Sequence, residues 1–188
     1  MSLAALVLAL VTLQRLAELV LARRNTSRLR AQGAYEVGAA HYPLIVVLHA
    51  AWLAGLWYLA VWREPRTVEL VWLAMFVVLQ GLRLWVIASL GGRWTTRIIV
   101  LPEAPLTKRG PYRWVSHPNY CVVAAEILIL PLAFGLVWCG VVFSALNALV
   151  LWWRIRIENK ALAAAPSRRL YQDEADGRWR RIPTGFGG

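Results

Sequence analysis

The stretch YCVVAAEILILPLAFGLVWCGVVFSALNALVLWW, Tyr120 to Trp153, is apolar almost throughout and too long for one membrane span. A helix rises about 1.5 Å per residue, so about 20 residues cross the hydrocarbon core. Pro131 and Gly135 sit near the middle of the stretch. Proline lacks the N–H that a helix interior needs, and glycine tolerates the turn that reverses a chain. The stretch therefore reads as a tight hairpin, with a fourth span at about Asn119–Ala133 and a fifth at about Leu136–Ile157. The fourth is short enough to be tilted or re-entrant.

Working outward, the same composition holds for the rest of the chain. Its 188 residues are 59% hydrophobic and 16% charged, with a mean hydropathy of +0.51. A soluble domain carries about 25% charged residues, so this composition is that of an integral membrane protein. Span one is expected at Ser2–Ala22, span two at Pro43–Trp62 and span three at Thr67–Leu90, the last entered through a turn at Glu64-Pro65. Span one contains Arg15 and Glu18 and lacks a small-residue cleavage pattern, so it reads as a retained helix. The expected fold is all-α with about five transmembrane helices in one compact bundle. Residues 1–90 form three spans; residues 91–188 form a loop (Gly91–Ser116), the hairpin and a tail that is helix-prone to about Ala175.

The net charge of +11 is unevenly placed. Four Lys and Arg lie in 23–41, five in 91–117 and eight from Arg154 onward, against two in the 63–66 turn and none in the Pro131–Gly135 turn. Five spans put the three basic segments on one side, which the positive-inside rule makes cytoplasmic, with the N-terminus outside. A single span over 120–153 would put the basic tail on the other face. Membrane topology thus accounts for the basic residues without a nucleic-acid partner. Cys121 and Cys139 fall in apolar segments and read as buried thiols. His41, His49 and His117 are scattered and no metal-ligand spacing occurs.

Polar residues inside spans usually face a bundle interior. Arg15 and Glu18 are three apart and pair on one face, although Arg15 could also snorkel. Gln80 and Arg83 share a face of span three, from which Arg83 reaches the following loop or snorkels; it is a candidate substrate-binding residue. Asn147, Arg154 and Glu158 fall at i, i+7 and i+11, one narrow stripe of a helix, with Arg156 pointing away. That stripe is either an ordinary Arg–Glu pair with a buried Asn or one wall of a site.

The other wall is Arg109-Gly-Pro-Tyr-Arg-Trp-Val-Ser-His-Pro-Asn-Tyr120. Read plainly, it is a basic loop against lipid headgroups. Read as a site, Pro118 starts the fourth helix so that Asn119 and Tyr120 offer backbone N–H groups to an anionic ligand. Tyr112, Trp114 and Tyr120 stack on a heterocycle or anchor at the interface.

Three segments here resemble the isoprenylcysteine carboxyl methyltransferase family and its phospholipid-methylating relatives. They are Gly110-Pro-Tyr112…Ser116-His117-Pro118-Asn119-Tyr120, Arg154-Ile-Arg156-Ile-Glu158-Asn159 and Arg181-Ile-Pro183-Thr184-Gly185. The resemblance covers roughly the C-terminal half and implies S-adenosylmethionine as cofactor. It implies contacts from Pro105, Leu106, Thr107, Gly110, Tyr112, His117, Pro118, Asn119, Tyr120 and Glu158. It also implies an arginine near the methyl acceptor, here Arg154. On the residues' own chemistry Arg154 and Glu158 are the candidate catalytic pair, Arg154 stabilising an oxyanion and Glu158 orienting Arg154 or holding the cofactor. Asn147, the membrane-depth end of the same stripe, is a candidate substrate-binding residue with Arg154. Ser116 stands where the family has arginine before the histidine, and Asn159 where it has a second glutamate; both departures bear on acceptor choice. Ala22-Arg-Arg-Asn25, Glu36-Val-Gly38 and His41-Tyr-Pro43 resemble a bacterial subgroup associated with methylating alkylresorcinol and alkylpyrone lipids. The expected activity is methyl transfer from S-adenosylmethionine to a lipophilic acceptor in the membrane: a phenolic or pyrone oxygen, or a prenylcysteine-like carboxylate. The alternatives are a phospholipid amine methyltransferase and a non-enzymatic transporter or scaffold. No metal and no nucleic acid are expected.

Overall fold

The computed structural model describes residues 2–63, 67–102, 104 and 107–164. Pro105 and Leu106 of the implied cofactor set, the Glu64-Pro65 turn, the helix-prone tail beyond 164 and the Arg181–Gly185 motif lie outside the described residues.

Five helices follow one another: α1 Leu3–Ala31, α2 Tyr42–Trp57, α3 Leu70–Leu90, α4 Pro118–Ala133 and α5 Val137–Ala164. A 3₁₀ turn, Ala39–His41, leads into α2, and a π-helical turn, Tyr58–Arg63, extends it. Counting those extensions, α1, α2, α3 and α5 are long and apolar enough to cross a membrane; α4 is a shorter apolar helix. At 16 residues α4 is about 24 Å long, the short span that the sequence suggested.

The all-α bundle is as expected, and one boundary needs correction. Residues 23–31 were expected to begin a loop, but α1 continues to Ala31. Arginine, leucine and alanine are good helix formers, so the helix has no reason to stop where the hydrophobic run does. Asn25 fastens this extension to the rest of the fold by donating to the carbonyls of Gly91 (3.2 Å) and Trp94 (2.8 Å). One small two-stranded pair adds to the helices. β1, Tyr35–Val37, pairs antiparallel with β2, Ile98–Val100, with Glu36 opposite Ile99. The β-branched run Ile98-Ile-Val100 carries that preference in its own side chains.

The hairpin forms where Pro131 and Gly135 put it. The N–H of Leu136 donates to the Pro131 carbonyl (2.9 Å) and that of Gly135 to Leu132 (2.9 Å), while Gly135 takes φ +67°. This is the Schellman closure, which requires a left-handed residue after the cap and so favours glycine. Pro131 sits inside the last turn of α4 and cannot donate to the Ile127 carbonyl. Trp52 of α2 supplies the missing donor, its indole N–H reaching that carbonyl at 3.2 Å. Trp52 and Ile127 are both buried in the apolar core with Leu8, Leu56, Leu130 and Phe134. A Trp52→Phe variant keeps an aromatic ring and drops the N–H. It is expected to lose about 1–3 kcal/mol of stability, read from the unfolding midpoint of detergent-solubilised protein.

Leucine, valine and tryptophan side chains such as Leu10, Leu13, Val47, Val77, Trp138 and Leu149 stand exposed on the outer helix faces. That surface suits lipid as its solvent. The interior is more polar than the exterior. Arg83 of α3 binds Glu18 of α1 through two bonds of 2.5 Å and Glu126 of α4 through one of 2.8 Å. Arg15 bridges the same two acids at 3.1 and 2.8 Å. Gln14 and Gln80 complete the group, bonded to each other and to Glu18 and Glu126 respectively. Two arginines face two glutamates, so the network carries no formal charge and holds three helices together. Arg15 and Glu18 pair as their spacing implied. Arg15 and Arg83 do not snorkel, and Arg83 does not reach the following loop, because the acids lie inside the bundle.

Candidate active site

The C-terminal ends of α1, α3 and α5 meet the N-terminal ends of α2 and α4 at one pole of the bundle. Pro118 at the first position of α4 suits its fixed φ and missing N–H. The N–H of Tyr120 is taken up by the His117 carbonyl at 3.1 Å, so it is not an open donor, contrary to the sequence reading. The tight first turn satisfies it internally. Asn119 contributes a different group: its Oδ1 is buried and has no partner among the described residues. Upstream, the 3₁₀ turn Gly110–Arg113 packs on α3, where Trp114 lies 5.9 Å from Trp85.

The two walls converge. Tyr120 donates its hydroxyl proton to the Glu158 carboxylate in a short contact, and Arg154 Nε donates to the same phenol oxygen at 2.7 Å. His117 stacks on Tyr120 with centroids 5.2 Å apart and planes 13° from parallel. Its Nε2 is 3.0 Å from Asn159 Oδ1, and its Nδ1 is 3.9 Å from Glu158. Burial, reinforced by the Glu158 charge, pushes the Tyr112 hydroxyl well above its ordinary value, so it stays protonated. Arg154 is buried, with its guanidinium 5.5 Å from the Tyr120 ring.

The N-terminal half roofs this cluster. Arg154 Nη2 donates to the Thr96 carbonyl at 2.8 Å, and the Thr96 hydroxyl lies 3.1 Å from Tyr42 Oη. Arg97 stacks over the Tyr42 ring at 4.2 Å and pairs with Glu36 at 2.6 Å, and Arg30 reaches the other oxygen of Glu36. The β1–β2 pair thus ties the entry to α2 against the end of α5.

Of the residues singled out from sequence, His117, Tyr120, Arg154 and Glu158 form one hydrogen-bonded and stacked group. Tyr112 lies within the field of Glu158, and Asn119 and Pro118 belong to the same helix start. Gly110 opens the preceding turn, and Thr107 lies upstream of it. Asn147 is buried on α5 seven residues before Arg154, about 10 Å along the helix axis, and its Oδ1 has no partner among the described residues. Arg83 is engaged by Glu18 and Glu126 and shares none of the contacts of the Tyr120–Glu158 group. Sequence reasoning missed Thr96, whose contribution is a backbone carbonyl and carries no side-chain signal. It also passed over Glu126, although a lone acid in an apolar run is a recognisable signal. No group of three or more metal-ligating side chains occurs among the described residues.

The sequence profile of the isoprenylcysteine carboxyl methyltransferase family matches residues 72–164, which include α4, α5 and every residue of the converged cluster. An uncharacterized protein of Bacillus subtilis (strain 168), YpbQ, is 40% identical over 159 residues, covering 84% of this chain and 95% of that protein. An uncharacterized protein of Haemophilus influenzae is 26% identical over 148 residues, covering 74% and 83% of the two chains. No solved structure matches the chain.

Proposed function

The chain belongs to the isoprenylcysteine carboxyl methyltransferase family, and from that premise we propose that it methylates an oxygen of a lipophilic acceptor with S-adenosylmethionine. The observation that carries this reading is the meeting of His117 and Tyr120 on one segment with Arg154 and Glu158 on another, at one pole of a membrane bundle. The residues fit the cofactor. Asn119 Oδ1 is a buried acceptor without a partner among the described residues, suited to an ammonium or a ribose hydroxyl. Glu158 is a carboxylate suited to a cationic donor, and the stacked His117 and Tyr120 rings offer a face to a heterocycle. When bound, S-adenosylmethionine supplies an electrophilic methyl group on a sulfonium.

The rest is alignment. Arg154 is oriented through Nε and Nη2 by Tyr120 and Thr96, and Nη1 takes no acceptor among the described residues. A guanidinium held in this way suits an anionic oxygen, whether a phenolate, an enolate or a carboxylate. It disfavours an ammonium headgroup, so a phospholipid amine is the weaker acceptor class. The acceptor class, following the bacterial subgroup that the N-terminal motifs resemble, is a phenolic or pyrone lipid arriving from the bilayer. Asn147 lies deeper on the same helix, toward the lipid interior. The site opens to the cytoplasm, because that pole carries the basic segments.

Titration of detergent-solubilised protein with S-adenosylhomocysteine tests the cofactor site. His117→Ala and Glu158→Ala are each expected to weaken binding by about 10–100-fold, the loss of one charge-assisted contact. Unchanged affinity in both variants would remove the site.

A further inference from the structure

His41 is a buried titratable residue beside this cluster that the chemistry above leaves unused. It is 3% exposed, and its ring nitrogens meet only the Gly38 backbone weakly, with no well-formed hydrogen bond among the described residues. A buried imidazole in that state is uncommon and asks for a partner. The chain makes room for it. Gly38 takes φ +67°, and a Cβ there would lie 2.7 Å from His41 Cε1, 2.8 Å from its Nδ1 and 2.8 Å from Ile157 Cγ2 of α5. Only glycine lets the turn before α2, the imidazole and α5 share that space. The ring centroid is 5.7 Å from that of Trp153, the residue before Arg154, and Trp153 is exposed on the lipid side of α5. The charges acting on the ring are Arg154 and Glu158 of α5 and Glu36 of β1.

An oxygen acceptor such as a phenol or enol must lose a proton as it is methylated. Within the cluster the other groups are committed: His117 turns Nε2 to Asn159 Oδ1 and its ring to Tyr120, the face proposed for the cofactor. Arg154 is permanently protonated, the Glu158 carboxylate already accepts the Tyr120 hydroxyl, and Tyr112 holds its own proton. A neutral imidazole has a free lone pair and ordinarily titrates near neutrality.

Resting on the proposed function, we infer that His41 is the general base for a hydroxyl-bearing lipid acceptor. The acceptor O–H bond breaks and its proton passes to a ring nitrogen of His41. The oxygen forms its bond to the methyl carbon as the methyl–sulfur bond breaks, and sulfur keeps that electron pair as a neutral thioether. His41 then releases the proton to water at the polar pole of the bundle. A carboxylate acceptor would need no such group, so His41 marks the acceptor as a weak acid that arrives protonated.

The test uses full-length protein in detergent with S-adenosylhomocysteine and an alkyl-chain 4-nitrophenol, whose phenolate is yellow. In the wild type the bound probe is expected to keep its phenolate band to a pH well below its ionisation in empty micelles. In His41→Gln the band is expected to retreat to higher pH by about tenfold or more in proton concentration, with S-adenosylhomocysteine affinity retained. On a hydroxyl lipid, His41→Gln is expected to turn over about 100-fold more slowly. The acid limb of its pH–rate profile should vanish, and the deficit should shrink as the acceptor phenol is made more acidic. A packing role would lower the rate evenly across pH and across acceptors. Equal probe ionisation and equal pH profiles in wild type and variant would overturn the inference alone. A wild type that binds S-adenosylhomocysteine but neither binds the probe nor methylates any hydroxyl lipid would overturn the acceptor class and this inference together. If His41→Gln does not fold, the wild-type titration still decides, since a bound probe that ionises as in empty micelles has no base beside it.

Discussion

Glu126→Ala is expected to lose about 3–5 kcal/mol of stability, because it leaves a buried positive charge without its counter-ion. Glu126 accepts from Arg15, Gln80 and Arg83, and it is 1% exposed. Removing it sets two arginines against Glu18 alone, in a bundle surrounded by lipid. The loss comes from the charge as well as the contact, and a second substitution separates the two. In Arg83→Met/Glu126→Leu the charges balance again, one arginine against one glutamate, so the double variant should be markedly more stable than Glu126→Ala. Glu36→Ala supplies the contrast. Its partners Arg30 and Arg97 are solvent-accessible, so its loss should stay within about 1 kcal/mol. Unfolding midpoints in a mixed-micelle titration compare the variants. A Glu126→Ala midpoint equal to that of Glu36→Ala would mean that water or lipid headgroups already solvate the network.

That network also marks where the sequence was legible and where it was not. The hairpin was readable because proline and glycine act locally: Pro131 withholds a donor and Gly135 takes a left-handed turn wherever the chain goes afterwards. The stripe of Arg154 and Glu158 was readable because helical periodicity is local too. The partners of Arg83 were not. A lone arginine in a span has several outlets, and the choice depended on Glu126, 43 residues away on another helix. The end of α1 was misplaced because hydrophobicity stops at the lipid boundary while helix propensity does not. The strand pair was missed because three-residue strands form only when the roof closes over the site, a tertiary event. The N-terminal contribution to the candidate site was partly visible, since Glu36, Gly38 and His41 stood in the subgroup motifs. Only the fold brings them to Arg154.

Arg154→Met is expected to lower turnover about 100- to 1,000-fold while S-adenosylhomocysteine still binds, the range for removing one positioned donor to a developing or resident oxyanion. Arg154 is held at two points by groups that give it direction without neutralising it: the Tyr120 phenol oxygen at 2.7 Å and the Thr96 carbonyl at 2.8 Å. Arg154→Lys separates charge from direction. An ammonium keeps the cation but cannot reach a phenol oxygen, a carbonyl and a substrate oxygen with one rigid plane, so it should recover only part of the rate. The comparison also divides the acceptor classes. For a carboxylate that arrives ionised, Arg154 binds ground state and transition state alike, so its loss should fall mainly on KM. For a hydroxyl that becomes anionic only as it reacts, the loss should fall mainly on kcat and grow as the acceptor becomes less acidic. Steady-state kinetics of both variants on a phenolic lipid, at saturating S-adenosylmethionine, read that partition. Full turnover in Arg154→Met would place the acceptor oxygen elsewhere and leave the pairing of Arg154 with Tyr120 as a brace between α4 and α5.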